Sequence, residues 1–130
     1  MIFVDSSFWI GFSDRSDKRH AECLALLEAR TRPLATSNHV IWETCTFLRK
    51  RHNHHVAMRF LDLIDEAELD VVFTSREVES EAWAWLRRHD ERRYSFVDAT
   101  SFALMRRFRI REALAFDGDF AAAGFVELRV

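Results

Sequence analysis

The chain is short of the residues that build turns and of those that staple small folds. Its 130 residues include one proline, Pro33, and 3 glycines. A sandwich of many short strands needs frequent tight turns, and a disordered chain is rich in Pro and Gly, so this scarcity argues against both. The 2 cysteines, Cys23 and Cys45, form no CxxC pattern. Each falls in a segment that reads as helix, so a small buried thiol is expected rather than a disulfide or a zinc site. Neither sign of charge dominates: 19 basic residues face 21 acidic ones, a net charge of −2. The balance alone therefore points to no polyanionic partner. No apolar run approaches a membrane span, and the N-terminus lacks a basic leader, with Asp5 interrupting its apolar stretch. The expectation is a soluble, cytoplasmic protein with no membrane partner.

What is present is apolar and aromatic. Hydrophobic residues make up 48% of the chain, with 12 Phe and 4 Trp, which is enough for a sizeable core in one domain spanning 1–130. Ile2-Phe3-Val4 reads as a short strand covered on both faces and ends at Asp5. A short helix over Ser6 to Phe12, capped by Ser6 or Ser7, follows. Lys18 to Arg30 reads as a helix with His20, Cys23, Leu24 and Leu27 on its apolar side. After Arg32-Pro33, Leu34-Ala35-Thr36 is a second strand, and Ser37 or Asn38 caps a helix carrying Val40, Ile41, Phe47 and Leu48. A further helix places Val56, Phe60, Leu61 and Ile64 together. Leu69 to Phe73 is a third strand, Ser75 caps the next helix, and Arg87 to Arg93 is a charged connection. A largely apolar helix runs from Phe96 to Phe108. Ala113 to Phe116 and Val126 to Val130 are the last strands, with a turn and a helical piece between them. Alternating strands and helices predict an α/β fold, a three-layer α/β/α sandwich around a short, mainly parallel sheet. Ligands of such sheets bind beyond the carboxyl ends of the strands, where strand order reverses.

Four acidic residues stand among apolar neighbours. Asp5 and Asp117 each follow a predicted strand, so both can point into that crevice. Glu43, three residues after Val40 and four before Phe47, lies at the edge of its helix's apolar stripe. Asp98 lies four residues before Phe102 and shares its face. Carboxylates facing a core are costly unless paired or bound to a cation, and these runs offer no Lys or Arg on the same faces. Each also has a plainer reading: a turn residue at Asp5, a half-exposed helix position at Glu43, a helix cap at Asp98, a tight turn at Asp117-Gly118-Asp119. A hard divalent ion such as Mg²⁺ or Mn²⁺ takes oxygen ligands and is satisfied by a few carboxylates.

These segments, taken in order, resemble the PIN-domain family. Ile2-Phe3-Val4-Asp5-Ser6-Ser7 looks like its opening motif, and Thr36-Ser37-Asn38-His39-Val40-Ile41-Trp42-Glu43 is similar to its second acidic motif. Ser95-Phe96-Val97-Asp98-Ala99 with Ser101-Phe102-Ala103 resembles the third, and Ala115-Phe116-Asp117-Gly118-Asp119-Phe120, followed by Gly124-Phe125, the fourth. Each motif is short; their ordered set, covering the whole chain, is specific. The compact length resembles VapC-type toxins more than larger processing nucleases.

The resemblance implies hydrolysis of RNA phosphodiester bonds by a metal-activated water. It implies Asp5, Glu43, Asp98 and Asp117 as catalytic acids. Asp5, Asp98 and Asp117 would hold Mg²⁺, with Mn²⁺ able to substitute, and a carboxylate would act as general base. Ser7 matches a small hydroxyl position that supports the first acid, and Asp119 either substitutes for or assists Asp117, which is preferred because it directly follows the strand. One departure is Ala115, where the family often has Thr or Ser. The resemblance further implies a cognate antitoxin, reaching the carboxylates with a basic side chain, and a homodimer formed through a helical apolar face. An acidic site that attracts RNA needs cations around it; Arg49, Lys50, Arg51, Arg92 and Arg93 are candidates, beside Arg87-Arg88 and Arg106-Arg107 with Arg109. Trp9, Trp42, Trp83 and Trp85 can stack on bases, though core or dimer contacts explain most of them better. His52, His54 and His55 follow a basic stretch and do not form a zinc set. Three other readings stay open: a non-catalytic RNA- or protein-binding module, a processing nuclease without an antitoxin, and a receiver- or phosphatase-type domain. The last wants a second carboxylate near Asp5 and a well-placed Lys, and neither is found.

Overall fold

The computed structural model describes all 130 residues. Five strands, β1 (Ile2–Val4), β2 (Leu34–Ser37), β3 (Leu69–Val72), β4 (Glu112–Leu114) and β5 (Val126–Glu127), form one sheet in the order β3-β2-β1-β4-β5. Every pairing is parallel. Seven helices connect them: α1 (Ser6–Ser13), α2 (His20–Ala29), α3 (Asn38–Arg51), α4 (His54–Glu66), α5 (Arg76–Arg88), α6 (Phe96–Arg107) and α7 (Asp119–Ala122). β1 and β2 are buried along their whole length, as strands covered by helices on both faces must be. No helix is long and apolar enough to cross a membrane.

Helix starts follow local chemistry. Ser37, Asn53 and Ser75 cap α3, α4 and α5, each accepting a hydrogen bond from the backbone N–H three residues on. α1 differs from expectation: its cap is Asp5, whose carboxylate accepts the Ser7 N–H, rather than Ser6 or Ser7. α2 also turns differently. Cys23 and Leu26 are its buried residues, while Leu24 is 47% exposed. Leu24, Leu26 and Leu27 lie on several sides of that helix, so periodicity selects no single face. Cys23 and Cys45 are both free, the first buried and the second half-buried.

β4 ends at Leu114 rather than Phe116. The Asp5 N–H takes the Leu114 carbonyl (3.0 Å), and the Phe116 N–H turns to the Ser7 hydroxyl (3.1 Å). The chain thus leaves the sheet two residues before Asp117. β5 is likewise shorter than expected, and its pairing with β4 stops at Ala113↔Glu127.

From the central β1, connections run outward to β2 and β3 on one side and to β4 and β5 on the other. Strand order therefore reverses between β1 and β4, and this pair opens the crevice in which such sheets bind ligands. Beneath it, Phe102 gathers Trp85, Tyr94, Phe120 and Phe125 around itself, with ring centroids 4.9–5.6 Å away. This cluster locks α6 to α7, the two helices that carry Asp98 and Asp119.

Candidate active site

Asp5 sits at the carboxyl end of β1 and is 1% exposed. Its Oδ2 accepts from the Ser7 hydroxyl (2.8 Å) and the Ser7 N–H (3.2 Å). Its Oδ1 makes no protein hydrogen bond. Burial pushes the Asp5 carboxyl up to about 7; the Ser7 hydroxyl opposes that, and Asp117 and Asp98 add to it.

Asp98 is the third residue of α6 and closes a capping box. The Ser95 hydroxyl accepts the Asp98 N–H (3.0 Å), and the Asp98 Oδ2 accepts the Ser95 N–H (2.9 Å). One side chain thus both caps the helix and stands among the acidic residues of the candidate site. Burial, reinforced by Asp119 and Asp117, raises its carboxyl to about 6. Asp117 is raised as well, first by burial and then by Asp119 and Glu127.

Carboxylate oxygens of Asp98, Asp117 and Asp119 lie within 4.8 Å of one another. The turn between Asp117 and Asp119 presents both carboxylates to Asp98. Gly118 permits this with φ +83°, a left-handed conformation that side chains resist, and the Asp119 N–H bonds Asp117 Oδ1 at 3.1 Å. Adjacent ligands of an octahedral Mg²⁺ are roughly 3 Å apart and opposite ones roughly 4 Å. Three hard oxygens at this spacing fit such an ion after small side-chain adjustments. Asp5 stands behind the trio, close enough to couple to two of its members. Glu43 does not join it; its Oε1 accepts from the Ser6 hydroxyl at 2.6 Å, which ties α3 to the start of α1.

The basic candidates separate. Arg92 reaches the site: its Nε and Nη2 lie 3.0 and 2.9 Å from Asp119 Oδ1, and Nη2 donates to the Asp117 carbonyl at 3.4 Å. Arg93 is exposed beside it. Arg49, Lys50 and Arg51 end α3, with Lys50 roughly 10 Å along the axis beyond Glu43, and Arg49 faces His54 instead (2.9 Å). Sequence reasoning missed Arg19 and Arg129, whose guanidinium carbons lie 4.8 and 5.1 Å from the ring centre of Phe116, immediately before Asp117. It also missed Ser6, Ser95 and Glu127. Only Ser95 carried a signal, the capping-box spacing to Asp98. Ala115 brings no hydroxyl to this strand end; Ser7 supplies one from the first turn of α1. Trp9 and Trp85 are core residues, whereas Trp42 and Trp83 are each 55% exposed. No histidine joins a cluster able to hold a metal.

A parallel α/β sheet with carboxylates converging at its switch point defines a class of acidic, cation-binding sites, of the kind that phosphate-transferring enzymes use. Comparison with known proteins narrows the class: the PIN domain family model matches residues 2–126, and the chain belongs to that family. The chain is 48% identical, over 99% of its length and 98% of theirs, to the "23S rRNA-specific endonuclease VapC20" of two Mycobacterium tuberculosis strains, CDC 1551 and H37Rv. The crystal structure of M. tuberculosis VapC20, described as a sarcin-ricin loop cleaving toxin, superposes with a TM-score of 0.96 at 47% identity, covering 100% of both chains. A toxin–antitoxin complex from Klebsiella pneumoniae shares the fold, with a TM-score of 0.69 at 22% identity, over 98% of this chain and 97% of that one.

Proposed function

We propose that this chain is a metal-dependent endoribonuclease, the toxin of a toxin–antitoxin pair, acting in the cytoplasm as one nuclease domain. The observation that carries this reading is the convergence of Asp98, Asp117 and Asp119 beside Asp5 at the switch point. Likeness to VapC20 suggests the substrate class, 23S ribosomal RNA at its sarcin-ricin loop.

Asp98, Asp117 and Asp119 hold the cation, Mg²⁺ with Mn²⁺ as substitute, and Asp5 lies at the back of the same site. A bound divalent cation supplies positive charge against the phosphate and acidifies water. The protein's part is placement and proton handling. Asp5 Oδ1 carries no protein hydrogen bond, which leaves it free to take a proton from the attacking water. Ser7 fixes the other oxygen and so sets which one is offered. Glu43, steadied by Ser6, borders the site from α3. Arg92, with Arg19 over Phe116, supplies cations for the flanking phosphates.

Two protein partners belong to this reading. Trp42, Phe73 and Trp83 are 55%, 69% and 55% exposed and are joined edge to edge through His39 and Phe96. An aromatic face of this kind is costly in water, and a second copy of the chain covers it. A groove of about 620 Å³ lined by Phe12, Leu24, Val56 and Phe60, with Arg15 and Arg59 also on its walls, fits an apolar antitoxin segment flanked by acidic residues.

The test is cleavage of a 23S rRNA fragment carrying the sarcin-ricin loop, with Mg²⁺, Mn²⁺ or EDTA, by the wild type and by Asp98→Asn and Asp117→Asn. Metal-dependent cutting that falls at least about a hundredfold in both variants is expected. Cutting that survives EDTA or both substitutions, or RNA binding without cutting by the folded wild type, overturns the catalytic reading. Trp83→Glu, run by sedimentation, is expected to be monomeric.

A further inference from the structure

Glu127 is the last residue of an edge strand only two residues long, yet its side chain is 5% exposed. Both of its oxygens are committed. Oε1 accepts from the Gly118 N–H (3.3 Å) and from Arg129 Nη2 (2.9 Å), and Oε2 accepts from the Ala121 N–H (3.1 Å). Arg129 reaches to the other side of the same turn. Its Nη1 donates to the Ala115 carbonyl (2.7 Å) and to its neighbour Leu128 (2.9 Å), while its guanidinium lies over Phe116. The pair therefore grips residues 115 and 116 before Asp117, and residues 118 and 121 after it.

We infer that Glu127 and Arg129 are positioning residues that hold the Asp117–Asp119 turn in its metal-binding shape. This rests on the reading of those two acids as cation ligands. A turn that crowds two carboxylates beside Asp98 works against their mutual repulsion, and α7, a single turn of helix, cannot restrain it alone. Glu127 satisfies two backbone donors at the start of that helix, which would otherwise point at solvent. A carboxylate is a strong acceptor for this purpose, but it adds a negative charge to a cluster already repelling itself. Arg129 offsets that charge while adding its own bond to the Ala115 carbonyl. The clamp thus contributes geometry with little net charge.

Charge and geometry make opposite predictions for Arg129. If the two residues act on the site only through their charge, removing the arginine tightens cation binding and removing the glutamate weakens it. If they act by position, both removals weaken it. The experiment is Mn²⁺ titration by calorimetry of the wild type, Glu127→Ala, Arg129→Met and Arg129→Lys, with amide hydrogen exchange at Gly118 and Ala121 in the metal-free proteins. Loss of outer residues that orient ligands typically weakens metal binding by tenfold or more. Expected are Mn²⁺ affinities lower by about tenfold in Glu127→Ala and Arg129→Met, and exchange at both amides faster by a similar factor. Arg129→Lys keeps the charge but cannot bridge both partners, so it should fall on the weakened side as well. Tighter Mn²⁺ binding by Arg129→Met, or exchange at both amides unchanged in Glu127→Ala, overturns the proposal. If the wild type binds no Mn²⁺, the cation reading fails, and the exchange rates still decide whether the clamp holds the turn.

Discussion

Phe102 and Phe120 meet edge to face at 4.9 Å with their rings 82° apart. Phe102 lies one helical turn beyond Asp98, and Phe120 directly follows Asp119. Contact between two core rings therefore fixes the spacing of two carboxylates above them. Such a pair contributes about 0.5–1.5 kcal/mol beyond the area it buries, and here that energy also opposes the repulsion between the acids.

Phe102→Leu tests this coupling. The smaller side chain leaves part of the ring's volume empty and loses the edge contacts to Trp85, Tyr94 and Phe120. A loss of about 1–3 kcal/mol is expected in urea unfolding. RNA cleavage at subsaturating Mg²⁺ should fall more than cleavage at saturating Mg²⁺, because the damage is to the spacing of cation ligands. Equal loss at both concentrations would detach the core from the site.

Ser7 joins the two strands that flank the crevice. Its hydroxyl donates to Asp5 Oδ2 (2.8 Å) and accepts the Phe116 N–H (3.1 Å). Ser7→Ala strands that N–H and leaves Asp5 Oδ2 with the Ser7 N–H alone. Stability should drop by about 1–3 kcal/mol. In the metal-free protein the Asp5 pKa should rise, because the Ser7 hydroxyl lowers that carboxyl more than the Ser7 N–H does; the carboxyl signals in NMR titration check this, and the pH–rate profile should shift with them. A pH–rate profile identical to wild type would remove Ser7 from proton handling.

The metal-free protein should lose stability as pH rises. Asp5 and Asp98 ionise near 3.8 when unfolded but are raised to about 7 and about 6 when folded. Between these limits the folded state binds more protons than the unfolded one, so the slope of unfolding free energy against pH is negative. The decline begins near pH 4 and levels off above about pH 7, at most on the order of 4 kcal/mol for Asp5 alone. Thermal melts in EDTA from pH 4.5 to 8 check this, and Asp5→Asn should flatten the slope. Added Mn²⁺ should restore more stability at pH 8 than at pH 5, since bound cations displace the same protons. A metal-free melt that rises with pH would show that these carboxylates are not desolvated.

Much of this site was legible in the sequence because strand ends and caps are local. Asp5 directly follows β1, Ser37 and Ser75 start their helices, and Asp98 follows Ser95 at capping-box spacing; each is visible in a window of a few residues. What escaped depends on distant pairing. Arg92 meets Asp119 across 27 positions, and Glu127 meets Gly118 from a strand too short to show alternation. The early end of β4 escaped for the same reason. Ala113 to Phe116 is uniformly apolar, and only the Ser7 hydroxyl, 109 positions away from Phe116, decides where the chain leaves the sheet. The sequence left Asp119 as either a substitute for Asp117 or its assistant, because spacing cannot show a left-handed Gly118 turning both toward Asp98.

In the proposed function Arg92 holds opposite relations to the cation and to the RNA phosphate. It bonds Asp119 Oδ1, so it competes with a cation for that carboxylate, and it carries the positive charge that a phosphate seeks. Arg92→Ala should therefore bind Mn²⁺ more tightly, by about threefold at low salt, with the gain fading as salt screens the interaction. The same variant should bind RNA more weakly, with KM rising and the salt dependence of binding reduced by about one phosphate contact. The two shifts have opposite signs, and neither misfolding nor a simple loss of site order produces that pair. Calorimetry with Mn²⁺ and RNA binding measured across a salt series decide it. Weaker Mn²⁺ binding in Arg92→Ala would mean that the arginine supports the Asp117–Asp119 turn rather than competing for it, and unchanged RNA binding would remove it from the phosphate contacts.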